Sequence, residues 1–466
     1  MKSLHELSIA EAGAALRSGC ITSSELTRHA LARIASVDSS LHSFILVTRD
    51  RALEDARRAD IELRAGIDRG PLHGVPYALK DLFDTAGIPT TCHSGLRVRH
   101  VPTEDCHIES RLKTGGAVLL GKLAMTEFAL GGPSLDLPFP ASRNPWNLAH
   151  FTGGSSSGAA AAVAAGLVPF AIGSDTAGSI RGPACYCGTV GLKPTFGVVS
   201  RRGAFPLSYS LDHCGPITWT VRDAAAVMQV IAGYDPQDPV SVDREVPDFH
   251  ARIGKSLHGL RIGLPRHYFD GVEDTSPEVT GAVEAAARTF SGLGATVEEI
   301  RLPDFELFNA CGRVILSGEA YTIHEDDLKM RPRAFSRYTY QRLVLGAALT
   351  AADLTQALRL RRELTMELNL NALKRYDALL TATSLGPAPR LDSFPADWPP
   401  KTRMQTIPYN VTGNPALAMP AGFSVSGLPL GIQIVGRPFD EATVFQIAAA
   451  FEAAAGLFGR RPDLQR

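Results

Sequence analysis

Two serine-containing loops and one lysine have the residue types of a nucleophile that works without histidine. The first loop, Gly153–Gly158, reads GGSSSG, and the second, Asp175–Ser179, reads DTAGS. A serine hydroxyl becomes a strong nucleophile only when a base removes its proton. Glycines beside the serines allow backbone N–H groups to approach a ligand closely. The combination predicts nucleophilic catalysis with a lysine as the base.

The lysine that fits this role is Lys80, which follows the apolar run Val75–Leu79. A free lysine has a pKa of about 10.4, and burial lowers it because the charged ammonium loses its hydration. A lysine buried at the end of an apolar strand can therefore be neutral near neutral pH and accept a proton. The residues alone leave one alternative open, a strand-end lysine at the surface that pairs with Asp81.

Each serine loop also has a purely structural interpretation. Ser155–Ser157 could cap the helix predicted from the small residues Ala159 to Gly166, and Asp175–Ser179 could be an ordinary turn. In the functional interpretation, successive N–H groups around Gly178 form a concave site for an anion, as an oxyanion hole requires. The presence of both loops and of Lys80 in one chain favours the functional interpretation.

Two other motifs compete for the nucleophile. Gly154–Gly158 matches G-x-S-x-G, which would make Ser156 the nucleophile of an α/β-hydrolase. That motif requires a strand directly before it, and Trp146–Phe151 is not a continuous apolar run, so we expect no strand there. Ser110 and Lys113 match S-x-x-K, but the overlapping K-T-G shares the same lysine, whereas the enzymes that use these motifs have two. We expect neither motif to be functional.

Composition excludes several classes of protein. The chain has 47 basic and 48 acidic residues and no long run of like charge, so we expect no binding to nucleic acid or membrane surfaces. The longest run without a polar or charged side chain, Gly158–Gly173, is shorter than the roughly 20 residues of a membrane-spanning helix. The seven cysteines are irregularly spaced, and neither Cys185 with Cys187 nor His324 completes a metal-binding motif. We predict a cytoplasmic protein without a metal or other cofactor.

The elements that must position these residues alternate between helices and strands. The first seventy residues predict a helical scaffold, with a capping box from Thr22 to Glu25. Residues 71–220 alternate short apolar runs with helical segments, which indicates a catalytic α/β core with a buried sheet. Two later apolar runs, Ala416–Phe423 and Leu428–Val435, predict a hairpin or adjacent strands. Residues 303–405, with a proline-rich turn at Pro395–Pro400, are expected to form the rim of the pocket.

The order of these motifs resembles that of the amidase signature family. The resemblance covers most of the chain except residues 303–405. The matching segments are Pro71–Pro76 with Lys80-Asp81, GGSSSG from Gly153, GSDTAGSIRGPACYCGTVGLKPT from Gly173, Ser210–Pro216, Pro408–Asn410, Gly413–Pro415 and Leu428–Gly436. The resemblance implies an α/β fold in a single large domain, residues 1–466, with a mixed, mostly buried central β-sheet covered by helices on both faces.

The resemblance also implies a Ser-Ser-Lys triad. Ser179 matches the nucleophile, and Lys80 matches the base. Ser155 matches the bridging serine, which the family usually holds with a cis peptide bond. The oxyanion hole is matched by the backbone N–H groups of Thr176, Ala177, Gly178 and Ser179. The implied reaction is hydrolysis of the C–N bond of a small carboxamide to a carboxylate and ammonia or an amine, through an acyl-enzyme.

The substrate is less well defined by the resemblance. Most members carry glycine where this chain has Ala177, and alanine-containing loops resemble those of urea-type members such as allophanate and carboxybiuret hydrolases. Alanine resists positive φ, so Ala177 either has an ordinary backbone angle or changes the loop. Gly131 and Arg181 are the candidate substrate contacts. Arg181 matches a position that binds a substrate carboxylate in some members; its alternative role is an ion pair with Asp175 that fixes the loop.

The sequence leaves several functions open. The first is a small-amide hydrolase, which needs only a small-molecule amide as its partner and leaves a homodimer open. The second is the glutamine amidase (A-type) component of a tRNA-dependent amidotransferase, and the third is a urea-type amidase. A catalytically silent binding protein is disfavoured because Lys80, Ser155 and Ser179 are all present.

Overall fold

One mixed sheet of eleven strands forms the centre of the molecule in the computed structural model, which describes residues 3–394 and 403–464. The strands are β1 (Phe44–Val47), β2 (Pro76–Lys80), β3 (Val118–Leu123), β4 (Arg143–Asn144), β5 (Asn147–Phe151), β6 (Phe170–Asp175), β7 (Val190–Lys193), β8 (His213–Thr218), β9 (Arg261–Leu264), β10 (Thr296–Glu299), β11 (Ala378–Ala382), β12 (Ala416–Phe423) and β13 (Pro429–Gly436). The order across the main sheet is β1-β3-β2-β6-β8-β7-β12-β13-β11-β9-β10, and β4 pairs with β5 in a separate two-stranded sheet.

The pairing combines parallel and antiparallel strands. Strand β2 runs parallel to β3 and β6, and β9 runs parallel to β10 and β11. The strands between these groups pair antiparallel, including β12 with β13. The hairpin predicted from the two apolar runs near the end of the chain is therefore confirmed. All residues of β2, β3 and β6 are buried, which explains their nearly continuous apolar sequences.

Helices cover the two faces of this sheet. They are α1 (Ile9–Arg17), α2 (Ser23–Leu41), α3 (Arg49–Arg64), α4 (His107–Thr114), α5 (Ser157–Ala164), α6 (Arg181–Cys187), α7 (Val221–Ile231), α8 (Pro277–Gly292), α9 (Phe305–Met330), α10 (Arg337–Leu343), α11 (Ala351–Met366), α12 (Pro408–Val411) and α13 (Glu441–Ala455). The predicted capping box opens α2, where Thr22 Oγ1 accepts the Glu25 N–H and Glu25 accepts the Thr22 N–H.

The alternation of side chains along β2 shows the layers. Ala78 lies in an apolar core formed with α2, α3 and α5, while its neighbours Tyr77 and Leu79 lie in a second core that includes α7 and α13. Successive residues of a strand face opposite sides of the sheet, so the two cores lie on opposite faces. The predicted fold class, a mixed central sheet with helices on both faces, is confirmed.

Three predictions about the elements need correction. The first seventy residues are not purely helical, because they also contain β1 at the edge of the sheet. Among the short apolar runs of residues 71–220, Leu167–Ile172 becomes a strand only at Phe170, and this strand continues to Asp175, so Ser174 and Asp175 belong to it. The prediction that no strand precedes the first serine loop is wrong, since β5 ends at Phe151; it pairs with β4 outside the main sheet.

Two further sequence predictions concern membrane-spanning helices and the proline-rich turn. Along the described ranges, no single helix is long and apolar enough to cross a membrane, although Arg337–Ala348 with Ala351–Ala372, a pair bent by 96°, passes on length and composition. The proline-rich turn predicted at Pro395–Pro400 lies outside the described residues.

Candidate active site

Lys80, Ser155 and Ser174 meet at the carboxyl ends of two neighbouring strands of the sheet. Lys80 ends β2, and Ser174 lies near the end of the parallel strand β6, so both side chains lie at the carboxyl ends of neighbouring strands. Lys80 Nζ donates to Ser155 Oγ at 2.6 Å and to Ser174 Oγ at 2.8 Å. Lys80 is 0% exposed, so these hydroxyls replace the water that a surface lysine would bind.

Burial gives Lys80 the protonation behaviour of a base. It lowers the pKa of Lys80 to about 7, against the charges of Asp212 and Asp175, which raise it. The surface ion pair between Lys80 and Asp81 is not what the structure shows. Asp81 Oδ1 instead lies 3.1 Å from Lys122 Nζ, and both of these side chains are fully buried.

The first serine loop lies between β5 and α5. The peptide bond between Gly154 and Ser155 is cis, as the resemblance implies, and the Ser155 carbonyl accepts the Thr126 N–H at 3.1 Å. The hydroxyl of Ser156 faces β6, where it donates to the Ser174 carbonyl at 3.2 Å. A Cβ at Gly158 would lie 2.3 Å from the Ser43 carbonyl, so glycine allows α5 to pack directly against the backbone.

The second serine loop joins β6 to α6 and carries Ser179. Ser179 is 8% exposed, and its carbonyl accepts the Ser156 N–H at 3.1 Å, which links the two serine loops. Positive φ in this loop occurs at Gly178, with φ 126°, and not at Ala177. Ala177 therefore has an ordinary backbone angle, the first of the two options left open by the sequence.

The peptide between Ala177 and Gly178 is fixed on both sides. The Gly178 N–H donates to Asp175 Oδ1 at 2.8 Å, and the Ala177 carbonyl accepts the Thr406 hydroxyl at 2.5 Å. Of the four N–H groups expected to form the oxyanion hole, that of Gly178 is thus already engaged. The N–H groups of Thr176, Ala177 and Ser179 make no hydrogen bond within residues 3–394 and 403–464.

Arg181 lies beneath this loop and not at its surface. It is 0% exposed, and its Nε and Nη2 donate to the two carboxylate oxygens of Asp175 at 3.0 Å each. Its remaining donors reach Gln433 at 3.0 Å and Asn410 at 2.6 Å. Burial alone would raise the pKa of Asp175, but the Arg181 guanidinium outweighs this effect and holds it below its usual range. This geometry favours the loop-fixing role of Arg181 over a contact with substrate.

The other candidate contact, Gly131, follows the helical turn Glu127–Ala129. A Cβ at Gly131 would meet no atom within 4 Å, so this position borders open space. Ala129 of the same turn lines a cavity of about 240 Å³ whose wall also contains Ser174, Phe205 and Asp212. Burial raises the pKa of Asp212, and its carboxylate accepts the Thr176 hydroxyl at 2.6 Å.

Two residues of this site, Ser174 and Thr406, were not predicted from the sequence. Ser174 had a weak signal, a polar residue near the end of a buried apolar strand. Thr406 had none, because it reaches the loop from 229 positions further along the chain.

The structure was also searched for metal-binding clusters. Across the described ranges, no group of three or more His, Cys, Asp or Glu side chains could hold a metal ion.

Comparisons with known proteins agree on the class of this protein. The Amidase family model matches residues 25–445. The A-type component of the glutamyl-tRNA(Gln) amidotransferase of Moorella thermoacetica is 42% identical, over 95% of this chain and 96% of the relative. The native peptide amidase of Stenotrophomonas maltophilia is 32% identical with a TM-score of 0.85, over 99% of each chain.

A further solved structure is similar in shape. It is an inhibitor-bound chain from the vestigial protein complex that reveals the evolutionary origins of an s-triazine catabolic enzyme, with a TM-score of 0.91 and 32% identity over 98% of this chain and 99% of that chain. The family match and these relatives cover nearly the whole sequence, including both serine loops. The chain belongs to the amidase signature family and is an enzyme that cleaves amide C–N bonds.

Proposed function

We propose that this enzyme hydrolyses a small carboxamide to a carboxylate and ammonia or an amine, through an acyl-enzyme on Ser179. The observation that carries the proposal is the contact of 2.6 Å between Lys80 Nζ and Ser155 Oγ in a fully buried setting. A lysine whose pKa is about 7 is partly neutral at neutral pH and can take a proton from a serine hydroxyl. Ser155 contacts this base, and the next residue, Ser156, donates its N–H to the Ser179 carbonyl at 3.1 Å.

In the proposed mechanism, neutral Lys80 accepts the proton of Ser155 while Ser155 accepts that of Ser179. Ser179 Oγ forms a bond to the amide carbon, and the carbonyl oxygen becomes an oxyanion. The C–N bond then breaks, and the leaving nitrogen takes the proton back along the same relay. Water attacks the resulting ester in the reverse sense, which releases the carboxylate and restores the Ser179 hydroxyl.

The oxyanion is stabilised in this proposal by the N–H groups of Thr176, Ala177 and Ser179. The neighbouring peptide is held by Asp175 and Thr406, so the loop needs little reorganisation when charge develops on the substrate oxygen. The Gly178 N–H, which the sequence analysis included, has a structural role because Asp175 accepts it.

The test uses purified protein and four amides: propionamide, benzamide, glutamine and biuret. We expect ammonia release from at least one of them, and we expect Ser179→Ala to abolish it. Ser110→Ala is the matched control, because Ser110 lies on α4 and its hydroxyl donates to the carbonyl of Cys106, the residue before that helix. Hydrolysis that persists at the wild-type rate in Ser179→Ala would contradict the proposed nucleophile.

A second candidate is the glutamine amidase component of a tRNA-dependent amidotransferase. The identity of 42% with the Moorella thermoacetica amidotransferase component over 95% of this chain favours it. This candidate predicts glutaminase activity that depends on co-expressed partner subunits, together with co-purification of those partners. If the isolated chain hydrolysed glutamine as fast as it does with the partner subunits, the result would instead support an independent amidase.

The third candidate is a urea-type amidase. It is favoured by the TM-score of 0.91 with the chain from the vestigial protein complex that reveals the evolutionary origins of an s-triazine catabolic enzyme, and biuret is the amide that tests it. A homodimer and a cytoplasmic location stay predictions, which size-exclusion chromatography and cell fractionation would test.

A further inference from the structure

We propose that Glu127 is a positioning residue for the substrate pocket, which it shapes by holding the turn Glu127–Gly131 against the start of α10. The proposal rests on the proposed function and extends it, because it assigns a determinant of substrate binding that lies outside the serine relay. The turn is close to that relay: Thr126, directly before it, donates its N–H to the Ser155 carbonyl at 3.1 Å. Ala129 within the turn lines the cavity of about 240 Å³ that reaches Ser174.

The backbone of the turn is unfavourable without outside support. Phe128 has φ 50° and Ala129 has φ 62°, so two consecutive residues with a Cβ adopt the left-handed region. Side chains other than glycine, asparagine and aspartate rarely adopt this conformation, and it persists only where surrounding contacts hold it. The contacts that hold it come largely from residues 303–405, the region expected to form the pocket rim.

The Glu127 carboxylate supplies the polar part of this support. It is 0% exposed and accepts the Ser94 hydroxyl at 2.6 Å and the Ser336 N–H at 2.9 Å. The Thr339 side chain also hydrogen-bonds to it, and burial raises the pKa of Glu127. Ser336 is the N-cap of α10 and Thr339 lies in its first turn, so one buried side chain joins the pocket turn to that helix.

The adjacent Phe128 supplies the apolar part. Its ring centroid lies 4.4 Å from that of His324 on α9, 5.7 Å from that of Phe335 before α10, and 5.4 Å from that of Phe205. Two further contacts extend the attachment to the following loop. Ser134 Oγ lies 3.0 Å from Ser336 Oγ, and Asp136 accepts the Arg337 N–H at 2.8 Å.

These contacts predict an effect on substrate binding and a much smaller one on the proton relay. In Glu127→Gln, one carboxylate oxygen becomes an NH₂ group, which cannot accept the Ser336 N–H or the Ser94 hydroxyl. One attachment of the turn is lost, and the cavity wall at Ala129 shifts. Lys80, Ser155 and Ser179 keep their own hydrogen bonds.

The experiment compares KM, kcat and labelling of Ser179 by a methyl fluorophosphonate, a probe too small to need the pocket wall. For whichever of the four amides wild type cleaves best, we expect Glu127→Gln to raise KM by about tenfold. The value of kcat and the labelling rate should stay within about threefold of wild type. Glu109→Gln is the matched control, because Glu109 is also 0% exposed and accepts hydrogen bonds from Tyr77 and Arg51, away from the turn; its KM should not change.

Ser94→Ala provides a second variant in case Glu127→Gln does not fold. It removes one donor to the carboxylate and should raise KM in the same direction by a smaller factor. An unchanged KM in the folded variants, with Ser179 still labelled, would overturn the role of Glu127 and leave the proposed function intact. A fall in kcat and labelling equal to the rise in KM would also overturn it, because the effect would then be on the relay. Absence of labelling in wild type would instead overturn the proposed function, and this inference with it.

Discussion

Individual side chains in this site combine a catalytic property with a cost in stability, and Lys80 shows this most clearly. Its burial lowers its pKa to about 7, which makes it a usable base at neutral pH. The same burial means that protonation favours the unfolded chain, where an ammonium is hydrated. Activity and stability should therefore both depend on pH through this one residue.

The first prediction concerns the rate at which a fluorophosphonate labels Ser179. The folded protein loses its neutral base as pH falls through about 7, so the labelling rate should fall with an apparent pKa near this value. Above it the rate should reach a plateau. Labelling rates measured from about pH 5 to about pH 9 test this expectation. A rate that does not change across this range would exclude Lys80 as the base.

The second prediction concerns stability. The pKa of Lys80 is about 7 in the folded state against 10.5 for an ordinary lysine, so the unfolded state binds more protons between these two values. The contribution of Lys80 to the free energy of unfolding therefore increases as pH rises from about 7 to about 10.5, and it is constant below about 7. Urea unfolding of wild type and Lys80→Met should show wild type gaining stability relative to the variant over this window. A constant difference between the two proteins would argue against the lowered pKa.

At the scale of elements, the nucleophile loop is a connection between β6 and α6 that distant parts of the chain hold in place. Asp175 at the end of β6 binds Arg181 in the first turn of α6, so the loop is closed by an ion pair across its ends. Thr406, before α12, binds the carbonyl at the centre of the loop. The orientation of the oxyanion N–H groups thus depends on the packing of two separate elements.

The third prediction is that Arg181→Met destabilises the protein. It would leave the Asp175 carboxylate buried without its cation, and breaking such a pair costs about 3–5 kcal/mol. Urea unfolding measures the loss. The opposite pattern, unchanged stability with a KM that rises for glutamine and not for propionamide, would instead support the role of Arg181 in binding a substrate carboxylate.

The fourth prediction concerns Thr406. Thr406→Val keeps the shape of the side chain and removes the hydroxyl that binds the Ala177 carbonyl, so the peptide between Ala177 and Gly178 keeps only its attachment to Asp175. We expect kcat to fall by about tenfold or more, since the oxyanion donors lose their fixed orientation. Thr406→Ser keeps the hydroxyl and should retain most of the activity. Equal kcat values for the valine and serine variants would show that the hydrogen bond has no catalytic effect.

At the scale of the whole molecule, patterns within a few residues predicted several elements of the fold and the site. The other features depend on contacts between segments that are distant in sequence. The buried strand before Lys80, the hairpin β12-β13 and the capping box of α2 were predictable because each has a pattern within a few residues. The same holds for the serine loops, whose glycines and serines are adjacent. These local signals indicated an α/β core and the candidate lysine and serines, whereas the mixed central sheet and the proposed triad were implied by the resemblance to the amidase signature family.

The remaining features depend on which strands and loops meet in the folded sheet. Arg181 contacts Gln433 from 252 positions away, and no pattern near either residue indicates this pair. Strand β5 was missed because it is half exposed and is stabilised by pairing with β4, so it lacks an apolar run. The conformation of Phe128 and Ala129 is likewise imposed by α9 and α10, which are distant in sequence.

The most direct test of the central claim is to identify the residue that a fluorophosphonate modifies. Purified wild-type protein would be labelled, digested and analysed by peptide mass spectrometry, with Ser179→Ala and Lys80→Met treated in parallel. The account predicts one adduct, on Ser179, which is absent from Ser179→Ala and forms far more slowly in Lys80→Met. An adduct on Ser156, or no adduct on Ser179 in protein that hydrolyses amides, would contradict it.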